Sequence, residues 1–343
     1  MGTRNKWMAQ GAFLLLVIGG TVYGLLRGAD LEALLQTLRG ADLRYCILGL
    51  VCVVGFVLLE SVILRVIFLK LGEKARMTHC CLYSFVGFFF SCITPSAGGG
   101  QPAQVYFMHK DGIPAASSIP VLMLVTIAYK LVLVLYGLGV LLVWPLTMME
   151  ALEGLWWWFY LGLGANLLFV GFYMGLLLWP DGTGRMLMFC LNHLPVRAAR
   201  KHRWREKLKK AMKDYKSAAE LMKKRLGMVL VVLLLTLVQR TLMFFVTWLC
   251  LRGLGMEAFW GNVVTMQAMI ALGTDLLPLP GAMGANETMF LRMFGNIFPQ
   301  TQVLPLLILS RGVGYYGQLF ISSLFTAVAA MTIGKRKKND WIL

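Results

Sequence analysis

Charged residues are scarce in this sequence. They make up 14% of the 343 residues, whereas a soluble globular domain carries about 25%. Acidic residues are the scarcer kind, with 16 Asp and Glu against 33 Lys and Arg. The same chain is 58% hydrophobic, with a mean hydropathy of +0.70. This composition excludes an ordinary soluble domain and predicts an all-α polytopic membrane protein.

Signatures of enzymatic chemistry are also missing. The sequence contains no G-x-S-x-G, no P-loop ending in Gly-Lys-Ser/Thr and no H-E-x-x-H. Its seven cysteines form no C-x-x-C pair, which indicates packing residues rather than a disulfide framework. His79 lies beside Cys80 and Cys81, but no second His/Cys cluster could complete a zinc site. We therefore expect no metal, no cofactor and no enzymatic activity, and any transport would be passive or driven by a gradient.

Long apolar runs supply the expected membrane spans. A spanning helix needs roughly 20 apolar residues. Six runs qualify: 7–27, 45–70, 116–144, 155–179, 227–251 and 301–333. The first follows Arg4 and Lys6 like a signal peptide, but no small-residue cleavage pattern precedes Arg27, so we predict a retained helix.

Two further segments resemble copies of one interrupted motif. The first break runs from Ser91 to Gln104 and the second from Thr274 to Glu287. Each follows a shorter apolar run (78–94 and 259–273), contains Pro and Gly, and leads towards a longer apolar run. Paired segments of this kind indicate a transport site, because open backbone at membrane depth needs protein or water to satisfy it. Ordinary interhelical loops are the alternative.

The distribution of basic residues gives a topology. Lys and Arg cluster at the N-terminus and within 65–76, 185–225 and 335–338, and such clusters favour the cytoplasmic side. All of these basic clusters fall on the cytoplasmic side if segments 78–110 and 259–296 are both re-entrant, or if both cross the membrane. We predict two re-entrant broken helices entering from opposite faces, an inverted repeat. The expected organisation is a single integral membrane domain over 1–343, with repeats at about 45–179 and 227–333, multi-pass in the cell membrane. The N-terminus, the 182–226 linker and the C-terminus are then cytoplasmic.

The linker itself has an amphipathic pattern. Trp204, Leu208, Met212 and Tyr215 recur at three- or four-residue intervals, with Lys and Arg between them. We expect the 200–226 segment to lie on an anionic leaflet as a basic amphipathic helix, the alternative being a solvated linker. Since topology accounts for the net charge of +17, no nucleic-acid partner is expected.

Residues of the breaks and ionisable residues inside spans are the candidate site. A charge within a span costs at least about 2.5–3.5 kcal/mol on insertion scales. The candidates for ion coupling or charge pairing are Glu60, Lys130, Arg240 and Arg311. Arg311 and Lys130 each follow a break, so they could face a shared cavity or each pair with a nearby carboxylate.

The breaks also offer an anion site. A helix restarting after a break points unpaired N–H groups and a positive dipole end at the gap, where phosphate binds, and glycine permits close approach. The predicted substrate-binding residues are Pro95, Gly98, Gly99, Gly100, Gln101, Gln104, Asp275, Pro280, Gly281, Gly284, Asn286 and Glu287.

The paired motifs and the basic linker resemble the flippase-like transmembrane domain of the lysylphosphatidylglycerol synthetase/flippase family (the multiple peptide resistance factor). The most specific part, Pro278-Leu279-Pro280-Gly281-Ala282-Met283-Gly284-Ala285-Asn286-Glu287, is similar to the family's Pro-x-Pro-Gly-Gly-x-Gly-x-x-Glu pattern. After the first glycines, many members show an acidic residue and an arginine where this chain has Gln101 and Gln104. The resemblance implies lipid translocation linked to antimicrobial-peptide resistance. Full-length members also transfer a lysyl group, and we expect no residues of this sequence to perform that reaction. The name lysyltransferase could still be carried over from those members.

Three functions follow as hypotheses. The first is flipping of a phospholipid or lipid-linked head group, including aminoacylated phosphatidylglycerol, across the bacterial cell membrane. The second is a membrane subunit for a separate lipid-modifying synthase, and the third is a small-solute or ion secondary transporter. Membrane phospholipids are the expected partners. The sequence leaves open whether the protein forms a homo-oligomer.

Overall fold

A computed structural model describes residues 31–333, apart from 74, 144–145, 179, 194–203, 207–208, 210–224, 276 and 278, together with residues 19, 20, 23 and 27. Every regular element in these ranges is helical. The α-helices are α1 (Leu31–Arg39), α2 (Leu43–Leu71), α3 (Met77–Ile93), α4 (Gly100–Lys110), α5 (Ala115–Val143), α6 (Leu146–Ala151), α7 (Trp156–Leu178), α8 (Pro180–His193), α9 (Leu226–Gly253), α10 (Trp260–Thr274), α11 (Ala285–Gly295), α12 (Gln300–Arg311) and α13 (Gly317–Thr332).

Five stretches are long and apolar enough to cross a membrane: Leu43–Leu71, Ser117–Val143, Trp156–Gly175, Leu226–Gly253 and Gln300–Thr332. They coincide with five of the six predicted runs and confirm an all-α polytopic membrane protein. The sixth run, 7–27, lies largely outside the described residues. The last span is continuous because the π-helical turn Gly312–Tyr316 joins α12 to α13.

Local sequence sets the ends of α2. The carboxylate of Asp42 accepts a hydrogen bond from the backbone N–H of Arg44 at 2.9 Å and so caps the first turn. At the other end Gly72 adopts φ 84°, the left-handed conformation that commonly ends a helix. The 29 residues between these caps extend about 43 Å.

Each predicted break forms the tip of a helical hairpin. In the first hairpin α3 packs against α4, and in the second α10 packs against α11. The tips are 3₁₀ turns, Pro95–Ala97 and Pro280–Ala282. The last residue of each turn has a positive φ, 52° at Ala97 and 51° at Ala282. The next helix starts five residues after the proline in both cases. The exits from the turns differ, because Gly98 has ψ −15° and Met283 has ψ 143°.

The hairpins enter the helix bundle from opposite ends. The base of the first lies at the C-terminal end of α2, where Glu73 accepts a hydrogen bond from Ser117 at 2.7 Å. The base of the second lies where α2 begins, because Asn296 bonds the backbone of Ala151 and Glu153 and the C-terminal end of α9 bonds Asp42.

Two apolar cores follow this arrangement. One surrounds the first hairpin with the C-terminal end of α2 and the start of α9. The other surrounds the second hairpin with the ends of α5 and α9. The tips meet between them, where Cys92, Met283 and Tyr315 form a small buried cluster and the two 3₁₀ turns touch.

The predicted amphipathic linker is described only in part. Its beginning is helix α8, which packs against α7. Residues 204–206 are also helical, and Arg205 donates a hydrogen bond to Asn192 at 2.6 Å. Leu208, Met212 and Tyr215 lie outside the described residues, so the amphipathic face stays a prediction.

Candidate functional site

A cavity lies between the first hairpin tip and helices α2, α5 and α9. Its volume is about 540 Å³. The described lining residues are Phe56, Glu60, Gly87, Phe88, Ser91, Ala97, Gly98, Gln101, Gln104, Leu122, Val125, Thr126, Tyr129, Lys130, Phe169, Tyr173, Arg240, Met243, Asp275 and Gln318. Ala97, Gly98 and Gln101 are exposed, so the cavity opens to the protein surface at the first tip.

A buried ion pair crosses one wall of this cavity. The ammonium of Lys130 on α5 contacts the carboxylate of Asp275, which follows α10 at the tip of the second hairpin. Tyr129 donates a hydrogen bond from its hydroxyl to the other oxygen of Asp275 at 2.7 Å. Since Lys130 is only 6% exposed, the pair compensates charges that would otherwise be costly to bury.

Arg240 is the second cation of the cavity, and it has a different environment. Its guanidinium carbon lies 3.8 Å from the ring centroid of Tyr129 and 5.0 Å from that of Phe56. It forms no salt bridge with any residue that the structure describes, and its Nε has no hydrogen-bond partner among them. A stacked guanidinium without a carboxylate partner is well suited to bind an incoming phosphate.

Glu60 supplies the second carboxylate. It is 6% exposed, and its Oε2 accepts a hydrogen bond from the side-chain amide of Gln239 at 3.0 Å. That amide nitrogen also bonds the carbonyl of Phe56 at 3.1 Å, which fixes the position of Gln239.

The second break is closed by its own side chains. The backbone N–H of Gly284 donates to Glu287 at 2.6 Å, a capping interaction at the start of α11. The same carboxylate pairs with Arg311 at 2.5 Å, and Arg311 also bonds the carbonyl of Gly281 at 3.3 Å. Glu287 therefore occupies this helix start in the structure, and an anionic ligand would have to displace it from the N–H of Gly284.

The first break is closed in a similar way. The hydroxyl of Thr94 accepts a hydrogen bond from the backbone N–H of Gly99 at 2.9 Å and donates one to the carbonyl of Phe90 at 2.6 Å. Gln101 bonds the hydroxyl of Thr126 on α5. These bonds fix the tip against the cavity wall.

Packing explains most of the glycines. A Cβ on Gly99 would collide with Thr94, one on Gly100 with Ser91, and one on Gly281 with the ring of Tyr315. Close backbone approach is therefore required by the protein itself at these positions. Gly98 differs, because its φ is −67° and a Cβ would lie 3.3 Å from the carbonyl of Pro95.

The structure divides the predicted site. The cavity brings together Gly98, Gln101, Gln104, Asp275, Glu60, Lys130 and Arg240. Gly284 instead lines a separate pocket of about 290 Å³, while Asn286 and Arg311 line one of about 160 Å³. Pro95, Gly99, Gly100, Pro280, Gly281 and Glu287 belong to the tips and do not line the 540 Å³ cavity.

Several residues that line the cavity or support its lining escaped the sequence analysis. Tyr129 precedes Lys130 and Thr126 lies one helical turn before it. Gln239, which positions Glu60, precedes Arg240. These polar residues lie close to a charged residue within an apolar run, and this pattern could have identified them.

A helical membrane bundle with two tip-to-tip hairpins and a charged cavity opening at one tip defines a class of membrane-embedded proteins with an internal polar site. The family model described as "Lysylphosphatidylglycerol synthase TM region" matches residues 9–322. The chain therefore belongs to this family, which confirms the resemblance seen in the motifs. No curated protein matches the chain in sequence.

Proposed function

We propose that the protein translocates a phospholipid head group across the bacterial cell membrane through the 540 Å³ cavity. The observation that carries the proposal is Arg240, a stacked cation inside the cavity without a carboxylate partner among the described residues. The planar N–H groups of a guanidinium match the geometry of a phosphate, which they can bind through two hydrogen bonds.

The cavity has dimensions and an opening that suit a lipid. Ligand sites for small molecules measure about 300–1,000 Å³, and this one lies within that range. A head group can occupy it while the acyl chains remain outside the mouth at Ala97, Gly98 and Gln101. Aromatic rings of Phe88, Phe169 and Tyr173 line the remaining wall.

The two hairpins supply a means of changing access. We propose that both are re-entrant, one from each membrane face, because their bases lie at opposite ends of the bundle and their tips touch. Rearrangement at the tips would then transfer the head group between faces, as in transporters built from inverted repeats.

The surroundings of the protein complete the proposal. The basic 200–226 segment would lie on the anionic cytoplasmic leaflet, where each Lys or Arg adds about 1 kcal/mol. The N-terminus, the linker and the C-terminus would be cytoplasmic. The protein itself would move lipid rather than modify it, and a separate enzyme would supply any aminoacylated substrate.

A transfer assay in proteoliposomes tests this proposal. Acyl-labelled phospholipids are incorporated, and the rate at which label in the inner leaflet becomes accessible to an impermeant quencher is measured. Losing a charged hydrogen bond costs about 1.5–3 kcal/mol, so Arg240→Gln should slow transfer by about tenfold to a hundredfold. The matched control is Arg252→Gln, on the same helix but paired with Glu257 outside the cavity.

Other outcomes point to other functions. Wild-type protein that moves no lipid would contradict the proposal. Uptake of a soluble ion or solute instead would favour a secondary transporter. A separate synthase that forms lysylphosphatidylglycerol only when this protein is present would favour a membrane subunit.

A further inference from the structure

We propose that the cavity selects phospholipids whose head group carries one phosphate and one primary ammonium and has no net charge. The inference rests on the proposed function and specifies its substrate. Phosphatidylethanolamine and the alanyl ester of phosphatidylglycerol both have this chemistry.

The first step is the charge balance of the cavity. Its described ionisable lining consists of Glu60, Asp275, Lys130 and Arg240, which sum to zero when all are charged. The hydrogen-bonding residues Gln101 and Gln104 at the first break are neutral amides. A head group with a net charge would therefore leave one unit uncompensated in surroundings of low dielectric constant, where an unpaired charge is costly.

The second step is the division of these charges. Lys130 and Asp275 neutralise each other, and Tyr129 bonds the remaining oxygen of Asp275. Glu60 and Arg240 form no salt bridge with each other or with another described residue. One anion and one cation are thus left for a ligand in the same cavity.

The third step is the chemistry of the two remaining groups. Glu60 accepts one hydrogen bond from Gln239 at its Oε2, and its second oxygen has no described donor. A carboxylate oxygen in this state accepts a hydrogen bond from a primary ammonium, whereas a quaternary ammonium has no N–H to donate. Arg240 offers N–H groups to the phosphate.

The test compares head groups in the wild-type protein. Proteoliposomes contain one acyl-labelled lipid at a time: phosphatidylethanolamine, the alanyl ester, phosphatidylglycerol, the lysyl ester or phosphatidylcholine. We expect both zwitterions with primary amines to move at least about tenfold faster than the anionic and cationic lipids. Phosphatidylcholine should also be slower, because it cannot donate to Glu60. Movement of only one of the two amine lipids would overturn the inference, because both head groups carry the same charges and the same hydrogen-bond donors.

A variant that replaces the carboxylate of Glu60 by a neutral amide of similar shape gives the matched comparison. Glu60→Gln keeps an acceptor for Gln239 but gives the cavity a net charge of one positive unit. We expect it to slow phosphatidylethanolamine by about tenfold and to speed phosphatidylglycerol. Glu153→Gln, which is exposed and away from the cavity, is the control and should keep the wild-type preference.

The outcomes separate the inference from the function beneath it. Equal rates for all five lipids would overturn the substrate class and leave lipid transfer standing. A preference for phosphatidylglycerol or for the lysyl ester would overturn it in favour of an anionic or a cationic substrate. Transfer of no lipid would overturn the proposed function itself. Should Glu60→Gln fail to fold, the wild-type comparison still decides.

Discussion

Lys130 and Asp275 form an ion pair that joins the two halves of the molecule. Lys130 lies on the span that follows the first hairpin, and Asp275 lies at the tip of the second. Both side chains are largely buried, at 7% and 14% exposure. The contact therefore holds the second tip against α5 and forms part of the cavity wall.

Removing one partner of this pair should be more damaging than removing both. Lys130→Met or Asp275→Asn leaves a buried group without its partner, which costs about 3–5 kcal/mol. The double variant should recover most of that loss, because no unpaired charge remains. Thermal unfolding in detergent measures all three. Lys209→Met breaks an exposed pair with Glu206 and should change little; single variants as stable as this control would contradict the prediction.

Two glycine positions should respond differently to alanine. Gly281 has φ 56°, and a Cβ there would collide with the ring of Tyr315. A left-handed conformation costs a residue other than glycine about 1–2 kcal/mol, so Gly281→Ala should lower the thermal stability. Gly98 has a right-handed backbone, and an added Cβ would lie 3.3 Å from the carbonyl of Pro95 at the cavity mouth. Gly98→Ala should therefore fold with a small local adjustment but slow lipid transfer.

The control for both variants is Gly139→Ala in α5, where no atom lies within 4 Å of the added Cβ. Normal transfer by Gly98→Ala would show that the mouth does not admit the substrate there. Full stability of Gly281→Ala would mean that Tyr315 can move away without cost.

The spans and the breaks could be predicted from the sequence, because each depends on local composition. Apolar length fixes the spans, and Pro95 and Pro280 with their glycines fix the tips. The glycine at 284 and the glutamate at 287 also stand at the spacing of a helix cap, so the closure of the second break could have been anticipated.

The pairing of side chains could not be predicted in the same way. Lys130 and Arg311 occupy comparable places after their hairpins, yet one reaches Asp275 in the other half and the other reaches Glu287 in its own. Sequence spacing does not say which helices pack together. The free position of Arg240 depends on the same tertiary arrangement, since Tyr129 reaches it from another helix.

The contact between the tips depends on one hydroxyl. Tyr315, in the π-helical turn, donates a hydrogen bond to the carbonyl of Cys92 at 2.8 Å, and π-helical turns are frequent at functional sites. Tyr315→Phe removes this bond, worth about 0.5–1.5 kcal/mol, without changing the ring.

We expect Tyr315→Phe to loosen the tips and to expose Cys92, which is 8% exposed in the native protein. The measurement is the rate of thiol modification at Cys92 in a background where the other six cysteines are replaced. We expect Cys92 to be modified faster in the Tyr315→Phe protein than in the protein that keeps Tyr315. Leu319→Ala, which removes an apolar contact from the same cluster, separates loss of the bond from loss of packing. Equal rates in the Tyr and Phe proteins would show that the hydroxyl does not hold the tips together.

The proposed re-entrant arrangement makes a prediction about membrane sidedness. The two arms of the first hairpin end together, since His79 in the first turn of α3 contacts Asp111 just after α4. Exposed cysteines introduced at Arg76 and Lys110 should therefore react from the same side, and the positive-inside rule predicts that this side is cytoplasmic. Cysteines at Phe259 and Gln300, which flank the second hairpin, should react from the opposite side.

An impermeant maleimide on whole cells, before and after permeabilisation, measures this sidedness in a cysteine-free background. We expect labelling of the Phe259 and Gln300 positions in intact cells, and of the Arg76 and Lys110 positions only after permeabilisation. If the broken segments instead cross the membrane, the members of each pair would react from different sides. This result would remove the basis for access from both faces, because the two tips could then no longer meet as the inner ends of opposed hairpins.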